Sequence, residues 1–252
     1  MGVVVGGGEG LRPPGPDRVW EELARHARSS YLRYSFTRGT AQETAFLVAE
    51  LGLRPGDVVV DVGCGPGRHV AALAAAGMTA AGVDLAEAFL AEAARGAGLY
   101  VRGDARRPPL ADGCAQAVVS LCQGGFGLLG GGDDAEALAA MARLLRPGGR
   151  LAVTAFSAYF AVRHLEPEET FDADEGVLAE VASVVSPGGE DRQFPLRSAC
   201  FTPRELRLAA AAAGLEDAAV YSCDPGAFSR RPPDLEARQF LLVARAPCGS
   251  SL

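Results

Sequence analysis

The stretch DVGCGPGRH, residues 61–69, sets an acid at the end of an apolar run and then three glycines at alternate positions. Val58, Val59 and Val60 ahead of Asp61 read as a buried strand, and Gly63, Gly65 and Gly67 let the chain turn tightly into a helix starting near Arg68. A strand, a glycine turn and a helix in that order form a seat for nucleotide-like ligands beyond the carboxyl end of a sheet. Two further acids fall at strand ends, Asp84 after TAAGV and Asp104 after the third strand, GLYVRG. Carboxylates at three successive strand tips can accept hydrogen bonds from the hydroxyl, amine and ammonium groups of one ligand.

The elements that would position these residues alternate as βαβαβ, which predicts a doubly wound parallel sheet. TAQETAFLVAELG reads as a helix with Thr40 and Glu43 as a capping box and Gly52 at its end. After the glycine turn come a helix to about Ala76, the strand to Asp84, a helix in AEAFLAEAAR, the strand to Asp104 and a fourth strand in CAQAVVSL. Asp133 and Glu136 stand at capping-box spacing before ALAAMARLLRPGG, and RLAVTAFS is a fifth strand. TPRELRLAAAAAG repeats the helix grammar with Thr202, Pro203, Glu205 and Gly214. AAVYSC and RQFLLVARA close the sheet as an antiparallel pair, and residues 158–200 break the pattern as an insert.

The glycine spacing separates two ligands. A dinucleotide turn wants GxGxxG, and its third glycine falls where this chain has Arg68; the pattern here is GxGxG with an acid ahead of it. On these residues, on Asp84 about twenty positions further, and on LLRPGGRLAV leading into the fifth strand, the chain resembles class I S-adenosylmethionine-dependent methyltransferases over residues 31–245. The resemblance implies a Rossmann-like, seven-stranded, mostly parallel α/β sheet with an antiparallel last strand and a small inserted cap. It implies S-adenosylmethionine as cofactor and S-adenosylhomocysteine as product. Gly63 and Gly65 would give close backbone approach, and Asp61 would steer the loop and the cofactor ammonium. Asp84 would hold the ribose hydroxyls with Leu85 beside it, Asp104 the exocyclic amine and the Ala105 amide an adenine nitrogen. Cys122, after the fourth strand, joins the same set. Without a ligand, Asp61 is a turn cap and Asp84 a solvated acid.

Ahead of the first core helix, YLRYSFTRGT crowds Tyr31, Tyr34, Phe36 and Arg38 together. In similar methyltransferases such a segment, here about 17–40, covers the cofactor, and Arg38 would pair with its carboxylate; an ordinary amphipathic segment on the core is the other reading. For the acceptor side the candidates are His164 as a base, Gln123, Glu166 and Asp172, with Phe126 walling a pocket roofed by Tyr159, Phe160, Phe171 and Phe194 of the insert. Surface or core roles compete for each. His69 reads as packing or capping.

Composition narrows the partners. A net charge of -7 and the absence of an Asn/Asp-Pro-Pro-aromatic loop argue against nucleic acid and for a small-molecule acceptor. All 24 basic residues are arginine, which removes Schiff-base chemistry and the P-loop lysine. The six cysteines show no metal-ligand spacing and read as reduced thiols of a cytoplasmic protein. Residues 1–16, rich in Gly and Pro, read as a disordered leader to one domain over 17–252, with no membrane segment. The expected activity is methyl transfer to oxygen or nitrogen of a small molecule. The alternatives are a non-catalytic sensor of the same cofactor and a nicotinamide oxidoreductase.

Overall fold

The computed structural model of the chain describes residues 16–128 and 133–249; all but the last residue of the expected leader 1–16 lies outside them. The strands are β1 (Val58–Val62), β2 (Thr79–Asp84), β3 (Leu99–Arg102), β4 (Ala115–Ser120), β5 (Leu145–Ser157), β6 (Thr170–Asp172), β7 (Val177–Val185), β8 (Asp191–Phe201), β9 (Glu216–Cys223) and β10 (Gln239–Arg245). The helices are α1 (Pro16–Ala27), α2 (Thr40–Glu50), α3 (Arg68–Ala75), α4 (Glu87–Ala93), α5 (Asp134–Leu144), α6 (Ala158–Arg163) and α7 (Pro203–Ala212).

Strands β3, β2, β1, β4 and β5 lie side by side in that order and parallel, with β10 antiparallel to β5 and β9 antiparallel to β10. This is the seven-stranded pattern that the resemblance implies. The order also reverses where β1 meets β4, the crevice in which open α/β sheets seat their ligands. Successive side chains serve opposite faces. Val60, Val62 and Val118 pack with Leu138, Met141 and Leu144 of α5 and Leu206 of α7. Val59, Ala117 and Val119 pack with Leu47 of α2 and Val70 and Leu73 of α3. Both faces are covered, which is why the β1 sequence is continuously apolar up to Asp61.

Two of the three anticipated capping boxes are absent. At α7 both bonds form, Glu205 N to Thr202 Oγ1 at 3.2 Å and Thr202 N to Glu205 Oε2 at 2.6 Å. At α2 the cap is Gly39, the Thr40 hydroxyl donates to the Thr37 carbonyl, and Glu43 turns inward to 0% exposure. At α5 the Asp133 carboxylate accepts from Arg106 Nη1 at 2.6 Å instead of capping. In both cases a guanidinium outcompeted a local backbone amide, as charge-assisted bonds do.

The insert departs most from expectation. It does not roof the strand tips but lengthens the sheet: β8 runs parallel to the end of β5 at Phe156–Cys200 and Ser157–Phe201, and β7 and β6 follow antiparallel. β5 outruns β4, whose pairing with it ends at Ser120–Val153, so on that side its last residues offer backbone groups that β8 satisfies. One face of the β7–β8 hairpin is covered by α1, whose Val19, Leu23 and Ala27 meet Val184, Phe194 and Phe89. Phe194 is therefore core. Among the described residues no helix is long and apolar enough to cross a membrane.

Candidate cofactor and transfer site

The carboxyl ends of β1, β2, β3 and β4 converge on one cleft whose empty space, open mouth included, is about 970 Å³. Asp61, Gly63, Gly65, Asp84, Leu85, Asp104, Ala105 and Cys122 all line it, together with Arg68 and His69 of α3. Trp20 from α1 and Tyr31 and Phe36 from the two short 3-10 turns between α1 and α2 face it from the other side. Tyr31 packs edge-on against Phe36 at 5.4 Å and lies tilted against Phe89 at 4.8 Å, while Tyr34 stacks on Phe36.

Asp84 organises the glycine turn. Its Oδ2 accepts the Gly65 amide at 2.7 Å and its Oδ1 the Ala86 amide at 2.8 Å. Each carboxylate oxygen keeps a second lone pair for a ligand hydroxyl. Burial raises its pKa, and the Ala86 and Gly65 amides oppose that shift. The loop after β4 presses against the same turn: a Cβ on Gly63 would sit 2.0 Å from the carbonyl carbon of Gly124. That loop is held in an uncommon conformation, with Cys122 at φ 53° and Gln123 at φ 60°, each costing about 1–3 kcal/mol, as is usual only where a site demands it.

Asp61 is 2% exposed and, among the described residues, its carboxylate has no hydrogen-bond donor although it lines the cleft. Burial, with Asp84 nearby and only Arg68 opposing, pushes its pKa up to about 7. A bare buried carboxylate is costly unless a cation meets it, so this position fits an ammonium group. The next network centres on the buried Glu43 carboxylate. Glu43 Oε2 accepts from Arg68 Nη1 at 2.6 Å and from His69 Nε2 at 2.7 Å. Burial lowers the His69 pKa, with the Glu43 hydrogen bond opposing; a neutral ring donating from Nε2 to an ionised Glu43 satisfies both. For Glu43 itself burial is outweighed by His69 and Arg68, and its pKa falls to about 2.

Several expected residues are placed elsewhere. Arg38 is exposed and outside the cleft lining; the guanidinium inside it belongs to Arg68, in the first turn of α3. Asp104 lines the cleft, but Arg106 grips both its oxygens, with Nε at 2.9 Å from Oδ1 and Nη2 at 2.6 Å from Oδ2, so a ligand amine would have to share them. Those bonds also lower its pKa. Gln123 points into the core, donating to Gln239 at 2.9 Å. Glu166 and Asp172 are exposed: the Glu166 amide donates to Glu169 Oε2, and Asp172 Oδ1 caps its own turn by accepting the Asp174 amide. Tyr159 and Phe171 border a shallow groove beside α6, not the cleft. His164 is exposed, 3.3 Å from the Glu236 carboxylate and stacked near Phe160 at 4.2 Å. It cannot serve the cleft from there. His164→Ala is accordingly expected to leave turnover within about twofold of wild type, as an exposed substitution remote from a site does; a rate assay for S-adenosylhomocysteine checks this.

Residues 60–153 match the family model described as a methyltransferase domain. The β1 acid, the glycine turn, Asp84 and the approach to β5 all fall within or beside that span, on the strands that form the cleft. Over that span the chain matches a methyltransferase domain, and its fold is that of the class I S-adenosylmethionine-dependent methyltransferases. A demethylmenaquinone methyltransferase of Beutenbergia cavernae is 34% identical over 167 residues, covering 64% of this chain and 65% of that protein. One from Mycobacterium sp. (strain JLS) is 38% identical over 109 residues, 43% of this chain and 46% of that protein. The chain thus spans less than two thirds of the length of these curated relatives. Among solved structures, the CcbJ methyltransferase from Streptomyces caelestis superimposes with a TM-score of 0.74 at 24% identity, covering 90% of this chain and 98% of that one. CalS10 from Micromonospora echinaspora, an amino pentose methyltransferase with S-adenosylmethionine bound, gives a TM-score of 0.60 at 25% identity over 95% of this chain and 99% of that one.

Proposed function

We propose that this protein transfers the methyl group of S-adenosylmethionine to a small organic acceptor that is nucleophilic in its resting form. The observation that carries the reading is the bare Asp61 carboxylate beside the Asp84-braced glycine turn, an anionic seat with no partner of its own. When bound, the cofactor supplies a methyl group on a sulfonium, electrophilic without further activation. Asp61 would hold the ammonium, Asp84 the ribose hydroxyls, and the Ala105 amide with Leu85 the adenine.

The protein's contribution to the chemistry is then alignment and exclusion of water. Trp20, Tyr31 and Phe36 close the apolar side of the cleft. With Asp61 given to the ammonium and Asp84 to the ribose, no general base is left over among the described lining residues: His69 is committed to Glu43, and burial pushes the Tyr31 phenol and the Cys122 thiol upward. An unprotonated amine nitrogen or an already ionised oxygen meets that condition; a neutral alcohol does not. The names of the curated relatives favour a second reading, an activated quinol ring carbon. Turnover of an amino sugar, an ionisable phenol and a naphthoquinol, read as S-adenosylhomocysteine, separates these. Tight cofactor binding with no product from any acceptor supports a sensor instead, and failure to bind the cofactor removes the reading.

The Asp61 pKa supplies a further test. Only the ionised carboxylate attracts an ammonium, and its free pKa is about 7. Cofactor affinity should therefore rise with pH up to about 7 and fall by up to about tenfold per unit below it. In the free chain the sign is opposite for stability: the raised pKa means the fold binds more protons than the unfolded chain between about 4 and 7, so stability declines as pH rises through that window. Titration calorimetry from pH 5.5 to 8.5 with wild type and Asp61→Asn reads it. A wild-type slope as flat as the variant's would sink the assignment.

A further inference from the structure

Arg68 takes the place of the third glycine of a dinucleotide turn, and its bonds define a task. Nη1 donates to Glu43 Oε2 at 2.6 Å and to Thr40 Oγ1 at 2.7 Å, and Nη2 donates to Cys122 Sγ at 2.8 Å. Of five guanidinium N–H groups, the Nε–H and one on Nη2 have no acceptor among the described residues. The side chain is 11% exposed and lines the cleft together with Asp61, close enough for each charge to be felt by the other.

Glu43 fixes this guanidinium from behind. Its side chain is 1% exposed, and its second oxygen accepts the Gly226 amide at 2.8 Å, so α2, α3 and the loop after β9 all meet at one carboxylate. The pair is more than a structural ion bridge: a bridge alone would turn all of the guanidinium toward the protein, whereas here two donors remain on a residue that walls the cleft. A guanidinium with uncommitted donors beside a bare carboxylate complements a zwitterion, ammonium toward Asp61 and carboxylate toward the donors.

We infer that Arg68 receives the carboxylate of the cofactor's amino-acid end and that Glu43 is the positioning residue that aims it. This rests on the methyl-transfer reading. The test compares binding of S-adenosylmethionine with binding of its decarboxylated form, which keeps the sulfonium, adenosine and ammonium and lacks only the carboxylate. Wild type should prefer the intact cofactor by roughly ten- to a hundredfold, the range of a charged hydrogen-bonded pair. Arg68→Gln should bring the two affinities close to equality by weakening the intact cofactor alone, with the decarboxylated form within about threefold of wild type. Glu43→Gln should shift the ratio in the same direction by less, and Asp61→Asn should weaken both ligands together.

Thermal melts establish that each variant is folded; where Arg68→Gln is not, Arg68→Lys, which keeps the charge and loses the planar fork, carries the comparison and should lose part of the discrimination. Parallel weakening of both ligands in the Arg68 variant would overturn the inference, as would a wild type indifferent to the carboxylate. A wild type that binds neither ligand would overturn the methyl-transfer reading and this inference with it, and is told apart by the absence of any binding.

Discussion

Gly63→Ala should cost the fold several kcal/mol and abolish cofactor binding with it. Gly63 sits at φ +76°, and a Cβ there would lie 2.0 Å from the Gly124 carbonyl carbon and 2.2 Å from the Gly125 nitrogen. Both obstacles are backbone, so no side chain can swing aside. The left-handed conformation costs an alanine about 1–2 kcal/mol, and forcing the two loops apart adds about 1–3 kcal/mol or more. For a chain of this size the sum corresponds to a fall in melting temperature of roughly 4–20 °C. Gly65→Ala is the matched control: at φ +53° a Cβ meets nothing within 4 Å, so only the conformational part applies. Melting curves for the two variants separate strain from overlap. Equal losses would mean that the loop after β4 does not press on the turn.

Asp84→Ala should weaken S-adenosylmethionine binding by about a hundredfold or more while leaving a folded protein. The carboxylate does two jobs. It fixes the Gly65 and Ala86 amides, and it presents its remaining lone pairs to the cleft. Hydrogen bonds to a charged group contribute about 1.5–3 kcal/mol each, and an alanine removes the ligand's bonds while freeing the turn that should be preformed. Asp84→Asn should fall between, because an amide has one accepting oxygen and its NH2 would face a backbone donor. Calorimetric titration measures both, and an affinity within about twofold of wild type for Asp84→Ala would remove that carboxylate from the site.

The contrast between these residues and the misplaced ones shows what sequence can carry. Asp61, Gly63, Gly65 and Asp84 were readable because their chemistry lies at strand ends, and parallel strands bring consecutive ends together whatever the loops do. Glu43 was misread for a physical reason. Thr-x-x-Glu is a valid local cap, and only the packing of α2 on α3 delivers Arg68 and His69 to the same carboxylate. The clue was the adjacent Arg68–His69 pair directly after the last glycine, two donors on one helical turn in need of an acceptor. Arg106, two residues past Asp104, is a signal of the same kind, a cation within reach of the strand-end acid. The insert reads from sequence as a roof over the acceptor pocket, and the structure places it at the sheet edge instead. Nothing in its composition says that β8 will zip onto the tail of β5, and that single pairing moves Phe171 and His164 away from the strand tips.

The aromatic segment over the cleft is fastened less to the strands that carry the cofactor motif than to the β7–β8 hairpin. His26 Nε2 bonds the Val184 carbonyl at 2.9 Å, the Ser30 hydroxyl donates to the Val185 carbonyl, the Val185 amide donates to Tyr34 Oη at 3.1 Å, and Arg192 pairs with Glu22 at 3.0 Å. Cover and hairpin are thus joined as one piece, so a residue change on β7, without touching any ligand, bears on the aromatic wall of the chamber through these bonds.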